Sequence, residues 1–359
     1  MTDQDVASAP DRAFQCEACG GVSAYAPGTY ALRCAYCKHE QDITPVPRQV
    51  TEHPFEELAA LARTSAPSRV KVYKCPGCHA VTESDTLSDT CQFCATPLVA
   101  DATDAERVAP EAVLPFGIDR DQARDALAKW TGSRWFAPGE LKNVTEAESF
   151  RGSYLPHWTY DAQTVTRYSG ARGEHYWVQV RDSDGTAHKE RRTRWHATSG
   201  TVGRFFDDVL VPASTQVPVE ELDKLAPWPL RDTVPYQEEY LAGFRTLRYD
   251  VEPQSGLASA KARMAPVIRA DCRRAIGGDE QRVHEVSTRY SDLTFKLVLL
   301  PVWFLTYVHA GKTWPVMVNA RTGEVIGKRP YSAVKIALAS VSAALLIGLV
   351  LVLMEMLRK

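Results

Sequence analysis

The chain has 359 residues, 45% of them hydrophobic, with a formal charge of −2 and a pI near 6.5. That is enough apolar material for two or three domains, and the near-neutral balance excludes a protein that holds polyanions by bulk charge alone.

Residues 1–11 are polar and acidic, which predicts a disordered lead and no secretory leader. Two cysteine brackets follow. Cys16-Glu17-Ala18-Cys19 is answered by Cys34-Ala35-Tyr36-Cys37, and Cys75-Pro76-Gly77-Cys78 by Cys91-Gln92-Phe93-Cys94. Two residues between ligands let both sulfurs of a tight turn face one ion, so the eight cysteines Cys16, Cys19, Cys34, Cys37, Cys75, Cys78, Cys91 and Cys94 predict two structural Zn²⁺ sites. An aromatic sits two places before the first ligand of each copy (Phe14, Tyr73) and another inside the second knuckle (Tyr36, Phe93), placed to cover the metal turns. Disulfide-bonded loops are the alternative, and the even spacing without a leader disfavours them. The expected modules are ribbon 12–45, a linker 46–70 with a short helix over Phe55–Arg63, ribbon 71–99 and a second linker 100–112. From Arg12 to Cys94 eight Lys or Arg face nine Asp or Glu, so the ribbons carry no basic face of the kind that holds phosphates.

The body, 113–331, reads as α+β with antiparallel sheets and two main helices. Asp119–Trp130 is amphipathic with Ala123, Leu127 and Trp130 inward. Ser255–Ile276 has apolar residues spaced by threes and fours, with Cys272 as core and Gly277-Gly278 as its stop. Strands are expected at Phe150–Tyr168, His175–Arg181, Lys189–Ala197, Thr201–Val211, Phe244–Val251, Gln281–Tyr290, Phe295–His309, Thr313–Asn319 and Glu324–Gly327. Asp184-Gly185 and Ser199-Gly200 supply hairpin turns, and residues 212–240 look irregular. A helix followed by a strand meander occurs twice. The clearest echo is Tyr154-Leu155-Pro156-His157-Trp158 against Leu299-Leu300-Pro301-Val302-Trp303, which suggests a duplication.

Chemistry is sparse. There is no GxxxxGK[ST], HExxH, GxSxG or GxGxxG, which predicts a protein that is not an enzyme. His157, His175, His188 and His196 with Asp161, Asp207 and Asp208 offer acid/base types, yet scattered His and Asp are ordinary on strand faces. One basic run, Lys189, Arg191, Arg192 and Arg194, is interleaved with Trp195; alternation puts Lys189 and Arg191 on one face and the other two opposite. It can contact anionic lipid or nucleic acid, or simply be a solvated strand.

From Ile336 to Met354 nineteen residues carry no charge, enough at about 1.5 Å each to approach the roughly 30 Å of a bilayer core. A single transmembrane helix over 334–355 is therefore expected, with the N-terminal domains cytoplasmic and the cell membrane as location.

The eight cysteines, the Gly152–Ala162 segment, Tyr168-Ser169-Gly170, Phe206–Val211, Gly277–Val283 and Val318–Glu324 together resemble a bacterial family. Its members are TFIIB-type zinc ribbon-containing, membrane-anchored proteins, often labelled primosomal protein N′ or helicase-like. The chain lacks a helicase motor. The resemblance implies zinc, an integral membrane position and protein partners of the phage-shock or stomatin-like membrane type. Taken together, the expectation is a non-enzymatic, tail-anchored zinc-ribbon adaptor at the cytosolic membrane face. The alternative is a membrane-associated nucleic-acid-binding zinc-ribbon protein of transcription or replication.

Overall fold

A computed structural model describes residues 14–327 except 62, 65–70, 85–90, 94–95, 97–98, 101–106, 133–149 and 310–311, together with 340–342, 345–348, 350, 354 and 356. The lead 1–11 and Cys94 lie outside the described residues.

Strands β1 (Phe14–Gln15), β2 (Val22–Tyr25), β3 (Ala31–Cys34) and β4 (Glu40–Asp42) form a four-stranded antiparallel sheet in that order. Its inner side chains Tyr25, Leu32 and Ile43 do not make a private core; they are buried among Phe116, Tyr154 and Trp303 of the body. After β5 (His53–Pro54) comes a 3-10 turn, Phe55–Ala59, shorter than the expected helix, and β6 (Arg63–Thr64). Strands β7 (Lys71–Lys74), β8 (Val81–Ser84) and β9 (Val99–Ala100) of the second cysteine module extend the main sheet itself, β8 pairing with the body. Both modules are packed against the body. A module too small to bury its own apolar face borrows one.

The body is organised around two long strands. After β10 (Arg107–Val108), β11 (Ala112–Val113) and helix α1 (Arg120–Gly132), strand β12 runs without a break from Phe150 to Arg181, and β13 (Ala187–Pro212) returns beside it. The expected turn at Ser199-Gly200 is absent, because both residues stay in register opposite Ser169 and Tyr168. A Cβ on Gly200 would lie 2.7 Å from the Tyr168 hydroxyl, so glycine there accommodates a ring and does not mark a bend. The chain continues through α2 (Val219–Lys224), β14 (Val234–Pro235), β15 (Arg245–Leu247), α3 (Pro253–Ile276), β16 (Glu280–His309), β17 (Lys312–Asn319) and β18 (Val325–Gly327). The sheet is mixed and not purely antiparallel: β11 lies parallel to β16, and β15 parallel to β12. Each is a short segment that leads into a helix, α1 after β11 and α3 after β15.

Strands β12 and β16 pair antiparallel with Leu155 opposite Leu300, Tyr154 opposite Pro301 and Pro156 opposite Leu299. The two Leu-Pro-x-Trp segments thus meet about a local two-fold. Around it, backbone bonds repeat. Ala213 N donates to Pro156 O and Ala320 N to Pro301 O; Ala213 O accepts from Asp250 N and Val251 N, while Ala320 O accepts from Gly117 N and Ile118 N.

Helix α1 starts on a reciprocal cap in which Gln122 N donates to Asp119 Oδ1 and Asp119 N to Gln122 Oε1. Helix α3 has Pro253 at its first turn and buries Leu257, Ala260, Met264, Ile268, Cys272 and Ile276. Gly256 lets it approach the sheet, since a Cβ there would stand 2.3 Å from Tyr160 Oη.

The expected transmembrane helix is overturned: no helix among the described residues is long and apolar enough to cross a membrane. Most of the expected span 334–355 lies outside the described residues, which there are 340–342, 345–348, 350 and 354. Tail anchoring, the single-span membrane partner and the cell-membrane location with cytoplasmic N-terminal domains therefore fall with it.

Candidate functional site

Three of the four cysteine brackets show how the turn is built locally. Gly20 N donates to Cys16 O, Lys38 N to Cys34 O and His79 N to Cys75 O, and Gly20, Lys38 and His79 all have positive φ, from 62° to 70°. The residue after the second cysteine must turn left-handed to fold the loop back, which glycine does without cost and Lys38 and His79 do under constraint. In the first module the sulfurs of Cys16, Cys19, Cys34 and Cys37 all lie within 4.8 Å of one another, with Cys16–Cys37 and Cys19–Cys34 at 3.5 Å. In the second, Cys75, Cys78 and Cys91 meet the same limit, with Cys78–Cys91 at 3.5 Å; Cys94 is not described. These thiols are free, not disulfides. A tetrahedron of sulfurs about 2.3 Å from a central ion has edges near 3.8 Å, so both clusters can hold a metal ion. Backbone N–H groups already point at the sulfurs: Gly77 and Cys78 at Cys75, Phe93 at Cys91. The N–H of Cys37, with that of Tyr36, pulls the Cys34 thiol down to about 6, against the opposing effect of its burial.

The covering aromatics behave unequally. Tyr73 is buried, Phe14 packs on the body core, and Phe93 meets Phe304 edge-on at 5.4 Å. Tyr36 leans on Gly21, where a Cβ would come within 2.6 Å of its ring, yet remains 75% exposed.

The basic run is divided by the pleat. Beyond Gly173, the last β12 residue paired with β16, residues 174–181 and 187–194 continue as a two-stranded arm, about 26 Å long at the usual strand rise. Arg192 is occupied by Glu190 at 2.9 Å, and Arg194 stacks over Tyr176 at 4.9 Å. Lys189 and Arg191 lie on the other face beside Gln179 and Trp177, the latter 64% exposed, and make no ion pair among the described residues. Trp195 lies nearer the body under Arg282, 3.9 Å from its ring centre.

Well before the arm begins, where β12, β13 and β16 still pair side by side, all three long strands are irregular. The β12–β13 register slips between Tyr160 and Ala162, the β12–β16 register between Asp161 and Gln163, and Asp208 and Asp292 take φ of +50°. Asp161 accepts from Asp208 N at 2.7 Å and from Thr294 Oγ1 at 3.0 Å. Lys296, 6% exposed, donates to Asp208 Oδ1 at 2.6 Å and to Glu52. Burial works against its ammonium, but those two carboxylates hold its pKa above the ordinary value. Burial also raises Glu52, opposed by Lys296. Asp207 beside them is raised by burial and by its acidic neighbours. Three carboxylates thus meet one built-in cation, and the cluster clamps the segment between the cysteine modules to the sheet.

Of the four histidines that offered acid/base types, His175 bonds to Glu280 at 2.8 Å, His188 and His196 are exposed, and His157 is enclosed, 2% exposed. They do not converge. Glu52 and Lys296 escaped the sequence reading, although a lone lysine in the apolar run from Phe295 to Leu300 was a usable signal.

No family model matches the chain, and no solved structure matches it. The chain is 25% identical over 332 residues to "Uncharacterized protein YdjG" of Bacillus subtilis (strain 168), an alignment covering 90% of this chain and 92% of that protein.

Proposed function

We propose that the chain is a non-enzymatic, zinc-stabilised adaptor whose first ribbon presents a rigid knuckle to a protein partner. The observation that carries this is Tyr36: a large aromatic, 75% exposed, on a loop pinned by Cys34 and Cys37 in a sheet that shares the body core. Exposed aromatics on preorganised loops are the usual anchors of protein interfaces. All-thiolate donor sets favour Zn²⁺, and four of them leave no coordination position for chemistry, which supports a structural role. A photo-crosslinking amino acid at position 36 should trap one discrete protein in cells, and Cys19→Ser should abolish the adduct. Only diffuse background, unchanged by Cys19→Ser, would remove this reading.

A second reading is favoured by the arm. Trp177, Gln179, Lys189 and Arg191 share one face of a projecting ribbon, a combination suited to a nucleic-acid backbone and an unstacked base. Binding of labelled DNA should weaken steeply with salt, and Lys189→Gln with Arg191→Gln should flatten that dependence. Absence of binding at low salt removes this second reading.

A further inference from the structure

The Leu-Pro-x-Trp segment occurs twice, but its variable position differs. In the second copy it is Val302, fully buried among Leu225, Phe304 and Met317. In the first copy the same place holds His157. A fold that needs only an apolar residue there has a buried imidazole instead, and burying a polar ring without full hydrogen bonding is costly.

His157 uses one nitrogen. Its Nδ1 lies 3.2 Å from Leu155 O, a contact that needs the proton on Nδ1 because a carbonyl can only accept. Nε2 is then a bare lone pair. It has no hydrogen-bond partner among the described residues, and it is not sealed in the packing, because His157 forms part of the wall of a cavity of about 310 Å³. Strand β13 supplies Phe206 and Leu210 to that cavity, α3 supplies Met264, and Trp228 closes one side. The Asp223–Arg263 ion pair, 2.9 Å, lies at its margin and satisfies itself. Pocket walls of apolar and aromatic side chains with one placed polar atom are the usual form of a small-molecule site. Burial by the strands and α3 drives the His157 pKa down to about 4, so the ring stays neutral at ordinary pH and is an acceptor toward whatever enters.

We propose that this cavity binds a small, neutral, largely aromatic molecule that donates one N–H or O–H to His157 Nε2. The volume suits on the order of a dozen non-hydrogen atoms. A charged ligand is disfavoured: the cavity offers no uncompensated charge, and desolvating an ion against Phe206 and Met264 has no return. A ligand without a donor would leave Nε2 unsatisfied, so the site discriminates by the presence of that one hydrogen.

Indole and its carbon analogue indene share size and outline, and only indole carries an N–H donor. Calorimetric titration of the full chain should show indole binding at least tenfold more tightly than indene, and the His157 Nε2 resonance should move with indole only. His157→Val, which installs the residue of the second copy, should bring the two affinities within about twofold by weakening indole alone. Met264→Trp, which fills the cavity and leaves His157 in place, should remove binding of both. Equal affinities in the wild-type chain, no binding of either compound up to its aqueous solubility, or a tenfold preference surviving His157→Val would each overturn the proposal. Should His157→Val fail to fold, the resonance shift and Met264→Trp decide it.

Discussion

Trp158 and Trp303 do the same work on opposite halves of the molecule. Trp158 Nε1 donates to Val251 O at 2.8 Å and packs edge-on against Tyr249, 5.1 Å between ring centres; Trp303 Nε1 donates to Ile118 O at 3.0 Å and meets Phe116 edge-on, also at 5.1 Å. In each case the accepting carbonyl lies two residues before a helix, α3 for Trp158 and α1 for Trp303. Each half therefore anchors the other half's helix. Replacing either tryptophan by phenylalanine keeps most of the apolar contact and leaves one part-buried carbonyl without its donor, for a loss of about 1–2 kcal/mol. Urea midpoints of the two variants should fall by similar amounts; a shift in only one would show that the halves are not equivalent.

Metal removal should act on the body and not on the ribbons alone. Tyr25 and Leu32 of the first module and Cys75 and Ala80 of the second are buried against body residues. A chelator should therefore raise amide exchange at β15 and at the body residues around Phe116 together with that of the modules. Elemental analysis before chelation should find two ions per chain. Exchange confined to residues 14–43 and 71–84 would show that the modules open independently.

Lys296 tests the polar clamp. Replacing it by methionine keeps the stem buried and strips Glu52 and Asp208 of their shared cation, leaving carboxylates facing one another in a partly dry site. The expected loss is about 3–5 kcal/mol at neutral pH. It should shrink in acid, where protonated carboxyls need no counter-ion. Equal destabilisation at pH 4 and pH 7 would mean that packing, not charge, sets the role of Lys296.

What was legible in the sequence followed from local rules. The cysteine spacing located two clusters of thiols that can hold a metal ion, and the three-four periodicity of Leu257, Ala260, Met264 and Ile268 located α3. The Pro-x-Trp echo pointed to two related halves before their pairing was visible. What escaped depends on partners distant in sequence. Ser199-Gly200 reads as a turn until Tyr168 is placed beside it, and Glu52 reads as a linker residue until it is found 244 positions away from its lysine. His157 looked like background because periodicity says nothing of a cavity whose walls come from β13, α3 and the segment around Trp228.

His157 also makes an acid-stability prediction with a definite sign. Its folded pKa is about 4, below the ordinary 6.5, so between those values the unfolded chain binds more protons than the folded one. Above pH 6.5 the group is neutral in both states and has no effect. As the pH falls from 6.5 toward 4 the folded state loses stability, by up to about 3 kcal/mol, after which this contribution levels off. Wild-type midpoints in urea should drop across that window more than those of His157→Val, whose side chain takes no proton in either state. The same slope in both proteins would assign the acid sensitivity to other groups and show that the imidazole reaches solvent readily enough to titrate near its usual value.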